Sequence, residues 1–326
     1  MKIATITPVR YSYFKDGSPF RDYDRLVSHI CSLKRQSQKV DIYIGDGSKD
    51  VRANEEIKKI CEVHGANYIK LKLSDVFNRC LMINETYKQI EEKYDYICLL
   101  DMDLVLLSNL ISTFLESYVT RKYEVLVSGI HFLTIPTVKV FEYEDVQDVI
   151  VDESYASFFD KNQASRFFTA NGLQFLSSET FEKIGGLDNN FNLYCGTDDE
   201  ILFRLNKYTP TNRPVSDRKN FCINDINTPL AFHLYHDSGT LSSKSEEEKF
   251  TKFKNIFREL NRQYLYNIVC KGNFKFQNNL KNPENYLCKD AGGNYYWGNE
   301  KNVVLKEEDI TATSLFEQYI KNKEQK

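Results

Sequence analysis

The sequence predicts an α/β chain built on a mixed, mostly parallel sheet flanked by helices, with a helical C-terminal extension. Three observations carry that expectation. Short β-prone runs alternate with segments of helical spacing through residues 1–130, the pattern of parallel strands joined by crossover helices. Glycine-rich turns such as Gly45-Asp46-Gly47 and Gly185-Gly186 punctuate the runs. Residues 245–265 then place Phe250, Phe253, Phe257, Leu260 and Tyr264 three and four apart, as an amphipathic helix does.

The elements follow in order. "KIATITPV" reads as a strand, and Tyr23, Leu26, Ile30 and Leu33 mark a helix over residues 21–36. "VDIYIGDGS" is a second strand ending in a turn; Ile57, Ile60 and Cys61 mark a helix that stops near Gly65. "NYIKL" is a short third strand, residues 80–92 a helix, and "YICLLDMD" a fourth strand. Ser108 is expected to cap a helix presenting Leu110, Ile111, Phe114 and Leu115, after which "EVLVSGI" closes the series.

The second half is less regular. Residues 131–168 hold a polar-aromatic insertion, "FEYEDVQDVIVDESYASFFDKNQAS", of the length of a lid or an acceptor-side loop. Ser178 is expected to cap a helix ending at Gly185-Gly186, "GTDDEILFRL" to be helical from Asp198, and "PLAFHLYHD" to be a strand. The tail from Cys270 is rich in Asn and Lys and carries the lone Trp297; no mechanism follows from it. No internal repeat is visible.

Composition bounds the function. With 41% apolar and 13% aromatic residues among 326, the chain can fill a large core. A net charge of −3 and a pI near 6.0 give no case for nucleic-acid binding. No stretch has the apolar length of a membrane span, and the run after Met1 turns polar too soon for a signal-peptide core. The eight cysteines form no C-x-x-C pair. Scattered buried thiols in a reducing, cytoplasmic setting are therefore expected, with peripheral contact at the inner membrane face left open. Oligomeric state is not legible.

One apolar run poses a question. "YDYICLLDMDLVLL" carries two carboxylates, Asp101 and Asp103, where a strand should have none. A buried unpaired carboxylate is costly and is usually paired, neutralised or metal-bound. Residues two apart in a strand share a side, so the pair can converge where the strand ends. Two hard oxygen donors facing a cleft suit Mn²⁺ or Mg²⁺. Turn or helix-capping aspartates are the plain alternative, and D-x-D occurs often by chance.

Order resolves that balance. The succession "ATITPVR", "IYIGDGS", "CLLDMD" resembles the nucleotide-binding half of family 2 glycosyltransferases of the GT-A fold, with their D-D-G-S and D-x-D motifs. "ANGLQFLSSETFEKIGGLDNNF" resembles the acceptor-side segment N-G-x-x-x-x-x-R-x-x-F-x-x-I-G-G-F-D-E-x-F of galactosyltransferase- and chondroitin-polymerase-like members. "YCGTDDEILFRL" is similar to W-G-x-E-D-x-E-x-x-x-R-L, and "FHLYHD" to a histidine-bearing strand end. The resemblance covers about residues 1–240. It departs at Gly45, where the first Asp of D-D-G-S is expected, at Asn189 for the Glu of G-G-F-D-E, at Tyr194-Cys195 for the Trp-bearing aromatic pair, and at Thr197 for the Glu of E-D. Loss of the Trp removes a flat stacking surface for an acceptor sugar.

The resemblance implies an inverting, metal-dependent transfer of a hexosyl or N-acetylhexosaminyl group from a nucleotide-sugar, UDP-linked, to a hydroxyl of a glycan or glycoconjugate, as in polysaccharide biosynthesis. It implies Asp46 as acceptor of the uracil N3–H, with an Asx turn as its plain reading. Thr7, Pro8, Arg10, Asn78, Arg79, Asp101 and Met102 fall on the nucleotide side, and Asn171, Gly172 and Asp199 on the acceptor side. Asp101 and Asp103 hold Mn²⁺ or Mg²⁺ with His233 or His236. These two histidines are three apart and face opposite sides of a strand, so one of them at most should ligate. Asp198, at a helix start that keeps its charge, is the expected general base.

Residues 1–244 form the expected glycosyltransferase domain, with a nucleotide half of 1–130 and an acceptor half of 131–244. Residues 245–326 form the extension. A sugar-nucleotide pyrophosphorylase would need a G-x-G-T-R-L loop, and "TPVRYSYFKDG" has none. A non-catalytic nucleotide-sugar or glycan-binding protein of the same fold remains the alternative, though it has no need of Asp101, Asp103 and Asp198 together.

Overall fold

A computed structural model describes residues 1–11, 23–73, 76–121, 123–136, 167–191, 197–206, 222–223, 230–235, 244–264, 279–281, 287–289, 292, 294–297, 305–306 and 309–317, without the side chains of 131–136, 167–171 and 197–199 among others. Its centre is an eight-stranded sheet of β1 (Ile3–Val9), β2 (Asp41–Asp46), β3 (Asn67–Lys70), β4 (Tyr96–Leu100), β5 (Leu104–Leu106), β6 (Val125–Pro136), β7 (Phe167–Ser177) and β8 (Ala231–Tyr235). They lie in the order β3-β2-β1-β4-β7-β6-β8-β5. β3, β2, β1 and β4 run parallel; β7 pairs antiparallel with β4 and β6, β8 runs parallel to β6, and β5 closes antiparallel on β8. This is the mixed, mostly parallel, helix-flanked sheet expected from the sequence.

The crossovers are helices because their apolar residues recur on one face. α1 (Asp24–Lys34) buries Leu26, Ile30 and Leu33, and α2 (Val51–His64) buries Ala53, Ile57 and Cys61. Asp50 caps α2 by accepting from Arg52 N, and Gly65 ends it in the left-handed conformation. α3 (Arg79–Lys88) is buried on most sides. α4 (Leu110–Thr120) turns Leu110, Ile111 and Phe114 inward, with the Phe114 ring stacked on Phe175 at 5.0 Å between centroids.

Capping differs from expectation in two places. Ser177, one residue earlier than expected, caps α5 (Ser178–Lys183) by accepting from Thr180 N. Ser108 lies outside α4, whose N-cap position is Asn109 with no side-chain cap bond. The cap instead comes from afar: Gln36 Oε1 accepts from Ile111 N at 3.1 Å while its Nε2 donates to Leu107 O at 2.7 Å. A buried glutamine at the end of α1 thus satisfies a helix start that its own sequence leaves open.

The fourth apolar run is not one strand. It is β4, a turn at residues 101–103, and the separate three-residue β5 on the far side of the sheet. The aspartates make that break.

α6 (Thr197–Asn206) packs on β6 and β7. Its Glu200 is fully buried against Arg204, whose Nη1 and Nη2 also donate to the carbonyls of Ile184 and Gly186. The expected extension helix is α7 (Lys244–Tyr264), with Phe257, Leu260 and Tyr264 joined to the main core. Tyr264 donates its hydroxyl hydrogen to Asp188 Oδ2 at 2.7 Å and accepts from Asn190 Nδ2 at 2.9 Å. Beyond α7 the tail adds an antiparallel pair, β9 (Leu287–Lys289) and β10 (Tyr295–Trp297), which its sequence did not announce. Cys31, Cys61, Cys80, Cys98, Cys222 and Cys288 are not in disulfides. No helix among the described residues is long and apolar enough to cross a membrane.

Candidate functional site

The carboxyl ends of β1, β2 and β4 lie side by side, and their loops are knitted together. Gly47 N donates to Val9 O at 2.9 Å, and Tyr11 N donates to Ser48 Oγ at 2.8 Å. The chain after β4 adds Asp101, Met102 and Asp103 to the same edge. Tyr11 seals this junction, its hydroxyl 2.8 Å from Met102 Sδ and its ring stacked on Tyr23.

Asp46 is wholly enclosed. Oδ1 accepts from Ser48 N at 2.7 Å, the Asx turn that the sequence allowed; Oδ2 accepts from Asn54 Nδ2 at 2.7 Å and Tyr68 Oη at 2.9 Å, with Lys70 Nζ at 3.9 Å. Its neighbour Gly45 explains the missing first Asp. A Cβ there would lie 1.9 Å from Thr86 Oγ1 on α3, so no side chain fits. Pro8 pairs with Gly45 on the adjacent strand. Arg10 is substantially buried, which lowers its guanidinium; Lys49 is lowered by burial and by Arg10's charge. Two cations therefore stand together beside the strand ends, and Lys49 was not foreseen.

Asp101 is 39% exposed, and its Oδ1 accepts from Arg79 Nε at 2.5 Å. Its backbone N donates to Gly172 O at 2.8 Å, and Gly172, at φ 71°, leaves its α-carbon bare against the Asp101 carboxylate. A glycine read from sequence as acceptor-side is in direct contact with the D-x-D. Asp103 stands 3.2 Å from His233 Nε2, across the β5–β8 pairing that sets Leu104 opposite His233. Burial by itself lowers the His233 imidazole, but Asp103 and Asp101 outweigh it, so the ring is raised.

Asn78 is the N-cap of α3, accepting from Leu81 N and donating to Asn189 O at 2.7 Å. Asn189, which departs from the family Glu, has its Oδ1 bonded by Asn84 Nδ2 at 2.8 Å. An amide pair thus joins α3 to the segment that follows α5. Thr7 is also engaged, its hydroxyl 2.9 Å from His29 Nε2. Glu200, in the D-D-E run, is pushed up to about 7 by burial despite Arg204.

The structure therefore brings Pro8, Arg10, Arg79, Asp101, Met102, Asp103, Gly172 and His233 to one edge. Asn171 lies on β7, and Asp198 and Asp199 on the first turn of α6; their side chains, and all of His236, fall outside the described residues. Two carboxylates and an imidazole nitrogen fit a hard divalent cation chemically. Among the described residues no three such groups converge as a ready-made cage.

No protein-family model matches the sequence, and no curated protein matches it. The chain is similar, at low identity, to several solved structures. The catalytic domain of Drosophila beta1,4-galactosyltransferase 7 with xylobiose is 17% identical, aligned over 76% of this chain and 78% of its own, at a TM-score of 0.37. S. aureus TarS is 10% identical over 81% of this chain and 44% of its own, at 0.43. TarS 1–349 in complex with UDP-GlcNAc is 10% identical over 85% and 76%, at 0.41.

Proposed function

We propose that this chain is a metal-dependent glycosyltransferase that moves a hexosyl or N-acetylhexosaminyl group from a UDP-sugar to a hydroxyl of a glycan or glycoconjugate, with inversion. One observation carries the reading: Asp101 and Asp103 stand at the carboxyl end of β4, next to the strand-end loops bearing Arg10 and Lys49. Ligands of open α/β sheets bind at that edge.

In this reading Asp101, Asp103 and one of His233 and His236 hold Mn²⁺ or Mg²⁺. The bound cation would neutralise charge on the departing diphosphate. Pro8, Arg10, Arg79 and Met102 border the nucleotide; Thr7, Asp46 and Asn78, engaged within the protein, shape that side from beneath. Asn171, Gly172 and Asp199 face the acceptor. The acceptor oxygen attacks the anomeric carbon as the carbon–phosphate-oxygen bond breaks, its electron pair leaving with UDP. Asp198 takes the hydroxyl proton. A base at a helix start stays ionised through the backbone dipole.

The test is release of UDP from UDP-sugars by the full chain, with Mn²⁺ or with excess EDTA, in the parent and in Asp103→Ala. Metal-dependent release that disappears in Asp103→Ala is expected. Undiminished release in EDTA overturns the reading.

A further inference from the structure

His29 was not among the residues that the sequence marked for function, yet it sits beneath the D-x-D turn. It lies on the inner face of α1 and is fully buried. Its Nδ1 is 2.6 Å from Leu104 O, and its Nε2 is 2.9 Å from Thr7 Oγ1. A carbonyl oxygen only accepts, so Nδ1 carries the hydrogen. In the neutral ring Nε2 is then bare and accepts the Thr7 hydroxyl. Burial lowers this imidazole, against the hydrogen bond to Leu104 and the charges of Asp103 and Asp101. Both ring nitrogens are satisfied without a net charge.

What the ring holds is the peptide after Asp103. That residue's own carbonyl accepts from Leu234 N at 2.8 Å, on the β8 side. The next carbonyl, Leu104 O, turns the other way and meets His29. β5 is three residues long and, among the described residues, has β8 as its one strand neighbour in the sheet order, so β8 supports one edge of it. The imidazole supplies the second support and ties it to β1 through Thr7.

We infer that His29 is a positioning residue of the D-x-D turn: by holding the Leu104 carbonyl it fixes where the Asp103 carboxylate stands for the cation. The inference rests on the metal-binding role proposed above for Asp103 and extends it to a residue that touches neither metal nor substrate. Groups that orient metal ligands from outside commonly change metal affinity about 10–100-fold when removed.

The experiment titrates Mn²⁺, with UDP present, into the full chain and reads free Mn²⁺ by electron paramagnetic resonance, alongside thermal melting. His29→Leu fills the space but leaves Leu104 O and the Thr7 hydroxyl unsatisfied, and should weaken Mn²⁺ binding roughly 10–100-fold. His29→Asn places an amide N–H where Nδ1 was and should recover most of the loss. His29→Gln reaches towards Thr7 instead and should not. If His29→Leu does not fold, the contrast of Asn with Gln decides: tighter binding by Asn supports the inference, and equal binding overturns it. Parent-like binding by all three also overturns it. Asp103→Ala separates the two readings. If it binds Mn²⁺ like the parent, the metal site itself is misassigned; if it fails while the His29 variants bind normally, the inference on His29 falls alone. Nitrogen-15 spectra of the ring should show hydrogen on Nδ1, and hydrogen on Nε2 would contradict the arrangement.

Discussion

A Cβ added to Gly172 would lie 1.9 Å from Oδ2 of Asp101 and 2.3 Å from its Cγ. The glycine of β7 and the first carboxylate of the D-x-D thus share one space, and the backbone bond from Asp101 N to Gly172 O fixes them in register. Gly172→Ala should therefore displace Asp101, adding about 1–2 kcal/mol of strain for a side chain at positive φ. Mn²⁺–UDP affinity measured by calorimetry should fall sharply while the fold survives. Unchanged affinity would mean that Asp101 is not a ligand in this pose.

Asp198→Asn should keep Mn²⁺–UDP binding near that of the parent and lose roughly a hundred- to ten-thousand-fold in transfer rate, since a base acting only in the transition state affects turnover rather than donor affinity. Asp199→Asn should be milder. Proton NMR of the product should show inversion at the anomeric carbon; a retained configuration, or near-parent transfer by Asp198→Asn, removes this base.

Replacing His233 and His236 by Ala separately should raise the Mn²⁺ requirement in one variant only. His233, with Nε2 3.2 Å from Asp103, is the one expected to respond. Metal titrations identical to the parent in both variants would take histidine out of the cation's surroundings.

Acid stability follows from His29. Its folded value lies below the ordinary 6.5, so below that pH the unfolded chain binds the extra proton. The contribution is complete above about pH 6.5 and is lost as pH falls from there through the lower folded value. Urea unfolding of the parent should lose stability between pH 7.5 and 5.5 more steeply than that of His29→Asn. Parallel slopes would show that the ring is not held neutral.

Gln36→Ala leaves Ile111 N buried without its side-chain partner, while Leu107 O keeps its bond from Leu110 N. The orphaned donor costs about 1–3 kcal/mol. The melting temperature should drop, with turnover per folded molecule unchanged; an unaltered melt would show that water replaces the glutamine freely.

The alternation of the first half was legible because burial writes it locally: Leu26, Ile30 and Leu33 face one way on α1, and β1 is buried on both faces. The break at Asp101 and Asp103 was legible as chemistry but not as geometry, because "LVLL" has the same strand propensity whether it prolongs β4 or crosses to β8. What stayed hidden is non-local. The cap of α4 comes from Gln36, 75 residues before Ile111, and Asn84 meets Asn189 across 105 residues. His29 looked like one more residue on a helix, and only the carbonyl it faces gives it a task. Gly172 was read through its motif, while its contact is with the Asp101 carboxylate in the turn after β4.

The contact of Gly45 with Thr86 makes two distant positions a single hereditary unit. A carboxylate introduced at 45 meets Thr86 Oγ1 at once, so that step is closed until residue 86 has become smaller. Shrinking residue 86 first leaves a gap against β2 and forfeits the bond from its hydroxyl to Met82 O. Neither order is free, and a lineage carrying Gly45 and Thr86 together is held to the single Asp46 by the helix behind it.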